Sequence, residues 1–98
     1  MIPTYSLALI KKLIREGQYR ITDAALDSAL DLGMEESDIV ECVCEVLTED
    51  DFYKTMPAIQ EPPLWQDVYR VKYQKVWIYL KLQISLANRA VVISFKLK

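Results

Sequence analysis

Between Val76 and Ser85 the chain alternates without a break. Every even position is aliphatic (Val76, Ile78, Leu80, Leu82, Ile84), and every odd one is polar or an aromatic with a polar tip (Trp77, Tyr79, Lys81, Gln83, Ser85). A period of two is that of a β-strand with one face in the core, because successive side chains point to opposite sides of the backbone. The other face then carries Trp77, Tyr79 and Lys81 side by side, a combination suited to an anionic, π-bearing ligand such as RNA. Exposed Lys and Tyr are also ordinary on a solvated face, so function has to be argued from the neighbouring segments.

Two further strands flank this one, at about Leu64–Tyr73 and Ala90–Lys96. Only Gln74-Lys75 separates the first pair, which fits a two-residue antiparallel hairpin although these are not the preferred turn residues. Leu86–Arg89, with Asn88 suited to positive φ, turns into the last strand. There Val91, Ile93 and Phe95 alternate with Val92, Ser94 and Lys96. In the first strand Gln66, Val68, Arg70 and Lys72 alternate with Trp65, Asp67, Tyr69, Val71 and Tyr73, and hydrophobicity alone does not assign its two faces. If Trp65, Tyr69 and Val71 point inward, then Gln66, Arg70, Tyr79, Lys81 and Lys96 share one open face.

The N-terminal half reads as helical. Thr4 or Ser6 caps a first helix with the stripe Ile10, Leu13 and Ile14, preceded by Leu7 or Leu9, and Gly17 stands where a C′ glycine belongs. Lys11, Lys12 and Arg15 fall within about 100° of arc on its exposed side. Tyr19-Arg20-Ile21 is a short extended link. Thr22 caps a second helix that ends at Gly33, and a third covers roughly Glu35 to Leu47 with the stripe Ile39, Val40, Val43, Cys44 and Leu47. Thr48 before Glu49, Asp50 and Asp51 is a strong helix start; the short helix it predicts carries Phe52, Tyr53, Lys54 and Met56 and is stopped by Pro57. The stretch Pro57–Pro63, with three prolines, is a loop. Helices first and antiparallel strands after imply one α+β domain spanning residues 1–98, with the helices on one face of the sheet.

Composition narrows the chemistry. The chain has no histidine, which excludes His-based acid/base pairs, Ser-His and Cys-His nucleophiles and His-containing metal sites. Cys42 and Cys44 are two residues apart; on a helix they lie about 200° from each other and cannot share a ligand or form an ordinary bridge. They read as buried or half-buried thiols of a reducing compartment. A hydrophobic content of 52% argues for a folded chain. No apolar run approaches the roughly 20 residues of a membrane helix, and the N-terminus lacks the basic region of a signal peptide, so the cytoplasm is the expected location and no membrane partner is expected.

The net charge of −2 conceals an asymmetry. Residues 1–50 hold 4 basic and 11 acidic side chains, a balance of −7, whereas residues 51–98 hold 8 basic and 3 acidic, a balance of +5. The C-terminal half thus has the sign of a phosphate-binding surface. Asp23, Asp27 and Asp31 share one helix face at a mutual cost of a few tenths of a kcal/mol per pair; that face is either solvated or a dock for a basic partner. The competing class of function is a non-catalytic interaction module that uses the open sheet edge and this acidic helix.

Four segments, DFYKTM (51–56), LWQDVYR (64–70), YLKL (79–82) and VVISFK (91–96), together with IKKLIREGQYRIT near the N-terminus, closely resemble the MqsR family of bacterial toxins, nearly end to end and in the family's order. The resemblance implies a RelE-like fold and a metal-independent endoribonuclease that cuts mRNA at GC-containing sites such as GCU, needs no cofactor and inhibits translation and growth. It implies a cognate antitoxin of the zinc-ribbon plus helix-turn-helix type, with DNA met only through that antitoxin. The family's catalytic set falls on Lys54, Gln66, Tyr79 and Lys96, and its substrate contacts on Tyr53, Met56 and Arg70. Lys81, outside that set, joins the RNA-binding residues through its place on the open face. The acidic N-terminal half departs from the family's usual basic character but leaves these positions untouched.

The chemistry is consistent with that set. Strand scission by a 2′-OH needs this hydroxyl activated, the phosphorane charge stabilised and the 5′-oxygen protonated. Without histidine the available proton carriers are Tyr79 and the lysines. Acid/base work by phenols and amines near pH 7 requires shifted pKa values, and clustered cations shift both kinds of group downward. Lys54, Lys96 and Arg70 supply positive charge where the phosphorane develops, one of the lysines could also serve as base, and Gln66 can orient a phosphate oxygen or a base edge.

Overall fold

The computed structural model describes residues 1–98. Helix α1 (Leu7–Arg15) is capped by Ser6, whose hydroxyl accepts from the Leu9 N–H at 3.2 Å, and it buries Leu7, Ile10, Leu13 and Ile14. Strand β1 (Tyr19–Ile21) leads into α2 (Asp23–Asp31), capped by Thr22, and α3 (Glu36–Glu41) follows. Strands β2 (Phe52–Pro57), β3 (Trp65–Tyr73), β4 (Val76–Ile84) and β5 (Ala90–Leu97) complete a five-stranded sheet of order β1-β5-β4-β3-β2. All its pairings are antiparallel except β1 with β5, which is parallel.

The helices cover one face of this sheet, as an α+β reading requires. Ile78, Leu80 and Leu82 are buried in the main core with Tyr69, Val71, Tyr73, Val92 and Phe95, under the apolar stripes of α1, α2 and α3, while Val76 and Ile84 pack at its margin. The β4 alternation therefore translates directly into an inward and an outward face.

Two expectations are filled out and two corrected. The three-residue link at Tyr19 is a strand, paired through Arg20 with Val91. The third helix does not stay α-helical to Leu47: it ends at Glu41 and continues as one π-turn over Cys42–Val46. Lys11 and Arg15 do not merely face solvent. Lys11 Nζ donates to the Leu47 carbonyl and Arg15 to the Cys44 carbonyl, supplying donors to carbonyls at this helix end. Finally, the strong start at Thr48 opens only a 3₁₀ turn, Glu49–Asp51, after which the chain extends into β2. The capping box was real, but Phe52, Tyr53 and Thr55 are strand formers, and Pro57 is tolerated because β2 is an edge strand. Lys54 thus sits on a strand, not near a helix end.

Two bulges adjust side-chain direction. In β2 the register shifts between Phe52, opposite Tyr69, and Lys54, opposite Val68, so Tyr53 is the extra residue. In β5 the shift at Ile93 puts Val92 opposite Leu82 and Ser94 opposite Lys81. Val92 therefore joins Phe95 in the core, whereas simple alternation had set them on opposite faces. Trp65 is 44% exposed rather than inward. Its strand neighbour Asp67 is fully buried, and its carboxylate accepts from the Thr4 and Tyr5 N–H groups, each at 2.9 Å, tying the N-terminal segment to the sheet.

Candidate active site

On the face of the sheet turned away from the main helical core, the residues of interest lie on three cross-strand rungs, in which Val68, Gln83 and Val91 are themselves buried. The first is Arg70, Tyr79 and Lys96, on β3, β4 and β5. The second is Lys54, Val68, Lys81 and Ser94, across β2 to β5. The third is Met56, Gln66, Gln83, Val91 and Arg20, reaching β1. Directly opposed residues on one sheet face stand about 4.5–5.5 Å apart at Cβ, so all eight residues singled out in the sequence lie in one patch: Tyr53 enters it through the bulge beside Lys54, and the other seven occupy the rungs.

Electrostatics distinguish this patch. Its five cations, Arg20, Lys54, Arg70, Lys81 and Lys96, have no carboxylate within ion-pair distance; the molecule's one ion pair, Arg15 with Glu45 at 3.6 Å, involves none of them. They lean on aromatic rings instead. The Arg70 guanidinium lies 3.3 Å from the centroid of the Tyr53 ring, with Lys54 Nζ 5.5 Å away. Tyr79 is flanked by Lys96 Nζ at 5.3 Å and Lys81 Nζ at 5.7 Å from its centroid. Such contacts hold cations in place without neutralising them. Lys81, half-buried, is held below the usual lysine range by its desolvation and then by repulsion from Lys96 and Lys54.

At the third rung the face deepens into a cleft of about 440 Å³ between the start of α2 and the loop after β2. Ala24, Met56, Ile59 and Ile93 give it apolar walls; Arg20, Gln60, Glu61, Gln66, Lys81 and Ser94 are among its polar groups. Gln66 is oriented from below: its Nε2 donates to Oε1 of the fully buried Gln83 at 3.2 Å, leaving the Gln66 carbonyl oxygen outside that bond. Arg20, Ser94 and Gln83 were not singled out in the sequence. The one available signal for Arg20 was a basic residue between two apolar ones in Tyr19-Arg20-Ile21; the burial of Gln83 and the outward turn of Ser94 depend on tertiary cover and on a bulge.

The cysteines take no part. Both are buried and unbridged, and burial pushes the Cys42 thiol up to about 12, far from a reactive thiolate.

An uncompensated cationic sheet face with a half-buried phenol and an adjoining cleft suits a phosphate-bearing ligand with a planar, partly apolar portion. The comparisons with known proteins agree with that class. Residues 2–97 match the family described as motility quorum-sensing regulator, toxin of MqsA, and the chain belongs to this family. It is 37% identical over 99 residues to the mRNA interferase toxin MqsR of Escherichia coli (strain K12), an alignment covering 98% of this chain and 95% of that protein.

Proposed function

We propose that this protein is an endoribonuclease toxin that cuts single-stranded mRNA by internal attack of a ribose 2′-OH and so inhibits translation and growth. The observation that carries this reading is the pair of rungs Arg70–Tyr79–Lys96 and Lys54–Lys81: a phenol among cations that have no carboxylate partners. A phosphodiester in transesterification gains charge on its non-bridging oxygens, and preorganised cations in such a place stabilise the transition state more than the ground state.

Lys54 and Lys96 stabilise the phosphorane, and Tyr79 protonates the departing 5′-oxygen. Gln66, held by Gln83, positions the substrate. Tyr53, Met56, Arg70 and Lys81 contact the RNA, with the Tyr53 ring and the stacked Arg70 guanidinium offering a platform for a base. Because the nucleophile is internal, the reaction needs no metal, and its products are a 2′,3′-cyclic phosphate and a 5′-OH. Following the resemblance, the preferred sites contain GC, with GCU favoured.

A toxin of this kind requires restraint. We propose a cognate antitoxin of the zinc-ribbon plus helix-turn-helix type, through which alone the toxin would meet DNA. Asp23, Asp27 and Asp31, exposed along α2, offer an acidic face to basic surfaces of that partner. Co-expression should relieve growth arrest and yield a complex; failure of both would rule the pairing out.

The nuclease reading is tested with purified protein and short single-stranded RNAs, with and without GCU, in EDTA. Cleavage at GCU leaving cyclic phosphate ends supports it. Products with 5′-phosphates, or a strict Mg²⁺ requirement, contradict the mechanism, and an inert protein leaves the interaction-module reading in its place.

A further inference from the structure

The open face has two halves of different character, and one side chain belongs to both. Toward the first rung, Arg70, Tyr79 and Lys96 form a flat cationic surface suited to a phosphate. Toward the third, the cleft of about 440 Å³ sets a few apolar side chains among a larger number of polar ones and is large enough for one nucleoside. Lys54, Tyr79 and Lys96 do not line that cleft. Lys81 does, and its Nζ also stands 5.7 Å from the Tyr79 ring centroid.

We propose that Lys81 is the general base of the reaction, taking the proton from the 2′-OH of the nucleoside seated in the cleft. This rests on the ribonuclease reading and assigns the one role that reading leaves open. A nucleoside in the cleft with its 3′-phosphate on the cationic half puts its 2′-OH at the boundary between them, which is where the Lys81 amine lies.

The surroundings of Lys81 also favour its neutral form. The groups facing it are Lys54 from β2, Arg70 from β3, Tyr79 from its own strand, Lys96 from β5 and, across the cleft, Arg20 from β1 and Glu61 from the loop. Glu61 is the one carboxylate among them, and it makes no ion pair with Lys81. Desolvation and the flanking lysines therefore favour loss of its proton.

The step balances within the site. Neutral Lys81 accepts the 2′ proton as the 2′-oxygen bonds to phosphorus; the bond from phosphorus to the 5′-oxygen breaks, and that oxygen takes the Tyr79 phenolic proton. A 2′,3′-cyclic phosphate and a 5′-OH leave, and return of one proton from the Lys81 ammonium to the Tyr79 phenolate, directly or through solvent, resets both groups.

The experiment is single-turnover cleavage of a short RNA in EDTA across about pH 5–10, with affinity measured separately on a 2′-deoxy analogue that cannot be cut. Wild-type rate should rise with pH and level off. Lys81→Arg keeps the positive charge but cannot deprotonate in this range, so the rising limb should vanish and the rate fall roughly 10²–10⁴-fold, with affinity changed less than about threefold. Lys81→Cys treated with an aminoethylating reagent regains a primary amine made less basic by its thioether, while the buried Cys42 and Cys44 are shielded; it should recover rate with the limb moved to lower pH. Wild-type rate and an unchanged limb in Lys81→Arg would overturn the proposal, as would a loss confined to affinity. A wild-type protein that does not cut would overturn the ribonuclease reading itself.

Discussion

Tyr79 and Leu80 are adjacent in the chain and stand in opposite worlds. Leu80 is fully buried under the helices, in a face where aliphatic and aromatic groups pack against α1, α2 and α3. Tyr79 is half-buried among cations, on a face that no helix covers. The covered face is stabilised by burial of apolar area and tolerates few changes of volume. The open face does the reverse: its three rungs gather five cations with no carboxylate in ion-pair distance, an arrangement that raises the free energy of the folded state through repulsion and is useful only when an anion arrives. Stability and chemistry are thus divided between the two sides of one sheet, and substitutions on the two sides should fail in different ways.

Leu80→Ala should show the largest effect on stability. Truncating a fully buried leucine leaves a cavity and costs about 2–5 kcal/mol. Denaturant melts would register it, while cleavage by the remaining folded fraction should stay near normal. Stability within about 0.5 kcal/mol of wild type would break the assignment of the covered face.

Asp67 is the polar exception on that side, and it sharpens the comparison. Asp67→Ala leaves the Thr4 and Tyr5 N–H groups without their acceptor and should cost about 1–3 kcal/mol. Hydrogen exchange at these two amides should speed up more than at amides of β4. Unchanged protection would show that the carboxylate does not hold the N-terminal segment.

The smallest effect belongs to neither face. Gln74 and Lys75 both adopt positive φ, 49° and 70°, in the turn between β3 and β4. Gln74 also donates to Asp38 and Tyr73, whereas Lys75 stores backbone strain alone. Lys75→Gly should stabilise the protein by up to about 1 kcal/mol, since glycine relieves the left-handed conformation at some cost in unfolded-state entropy. A lower melting temperature would count against a strained turn.

What was legible in the chain follows the same division. The β4 alternation is readable because one side is uniformly covered and the other is not, and Ile78, Leu80 and Leu82 are where the period puts them. Of the eight residues singled out for function, Tyr79 and Lys81 were placed on the open face by the β4 parity; Gln66 and Arg70 joined them only on the condition that Tyr69 and Val71 point inward, which they do, while Tyr53, Lys54 and Met56 lay on a segment that reads locally as a helix. Three features were beyond local reading. Strand β1 is three residues long, and its partner β5 lies some seventy positions away. Strand β2 begins just after a real capping box, so the local signal for a helix start was followed by a tertiary decision for a strand. The bulge at Ile93 shifts the parity of β5 midway, moving Val92 into the core while leaving Ser94 and Lys96 outward. In each case pairing with distant strands decides what the segment's own residues leave open.

The claim that the open face is chemical rather than structural is met most directly by single-turnover cleavage and thermal melts on Tyr79→Phe and Lys96→Ala. Tyr79→Phe keeps the ring and removes one hydroxyl, so its melting temperature should stay within about 3 °C of wild type while the rate falls roughly 10²–10⁴-fold. Lys96→Ala should melt similarly and lower the rate more than the affinity, because the charge it meets develops in the transition state. Wild-type rates from both folded variants would contradict the proposed site.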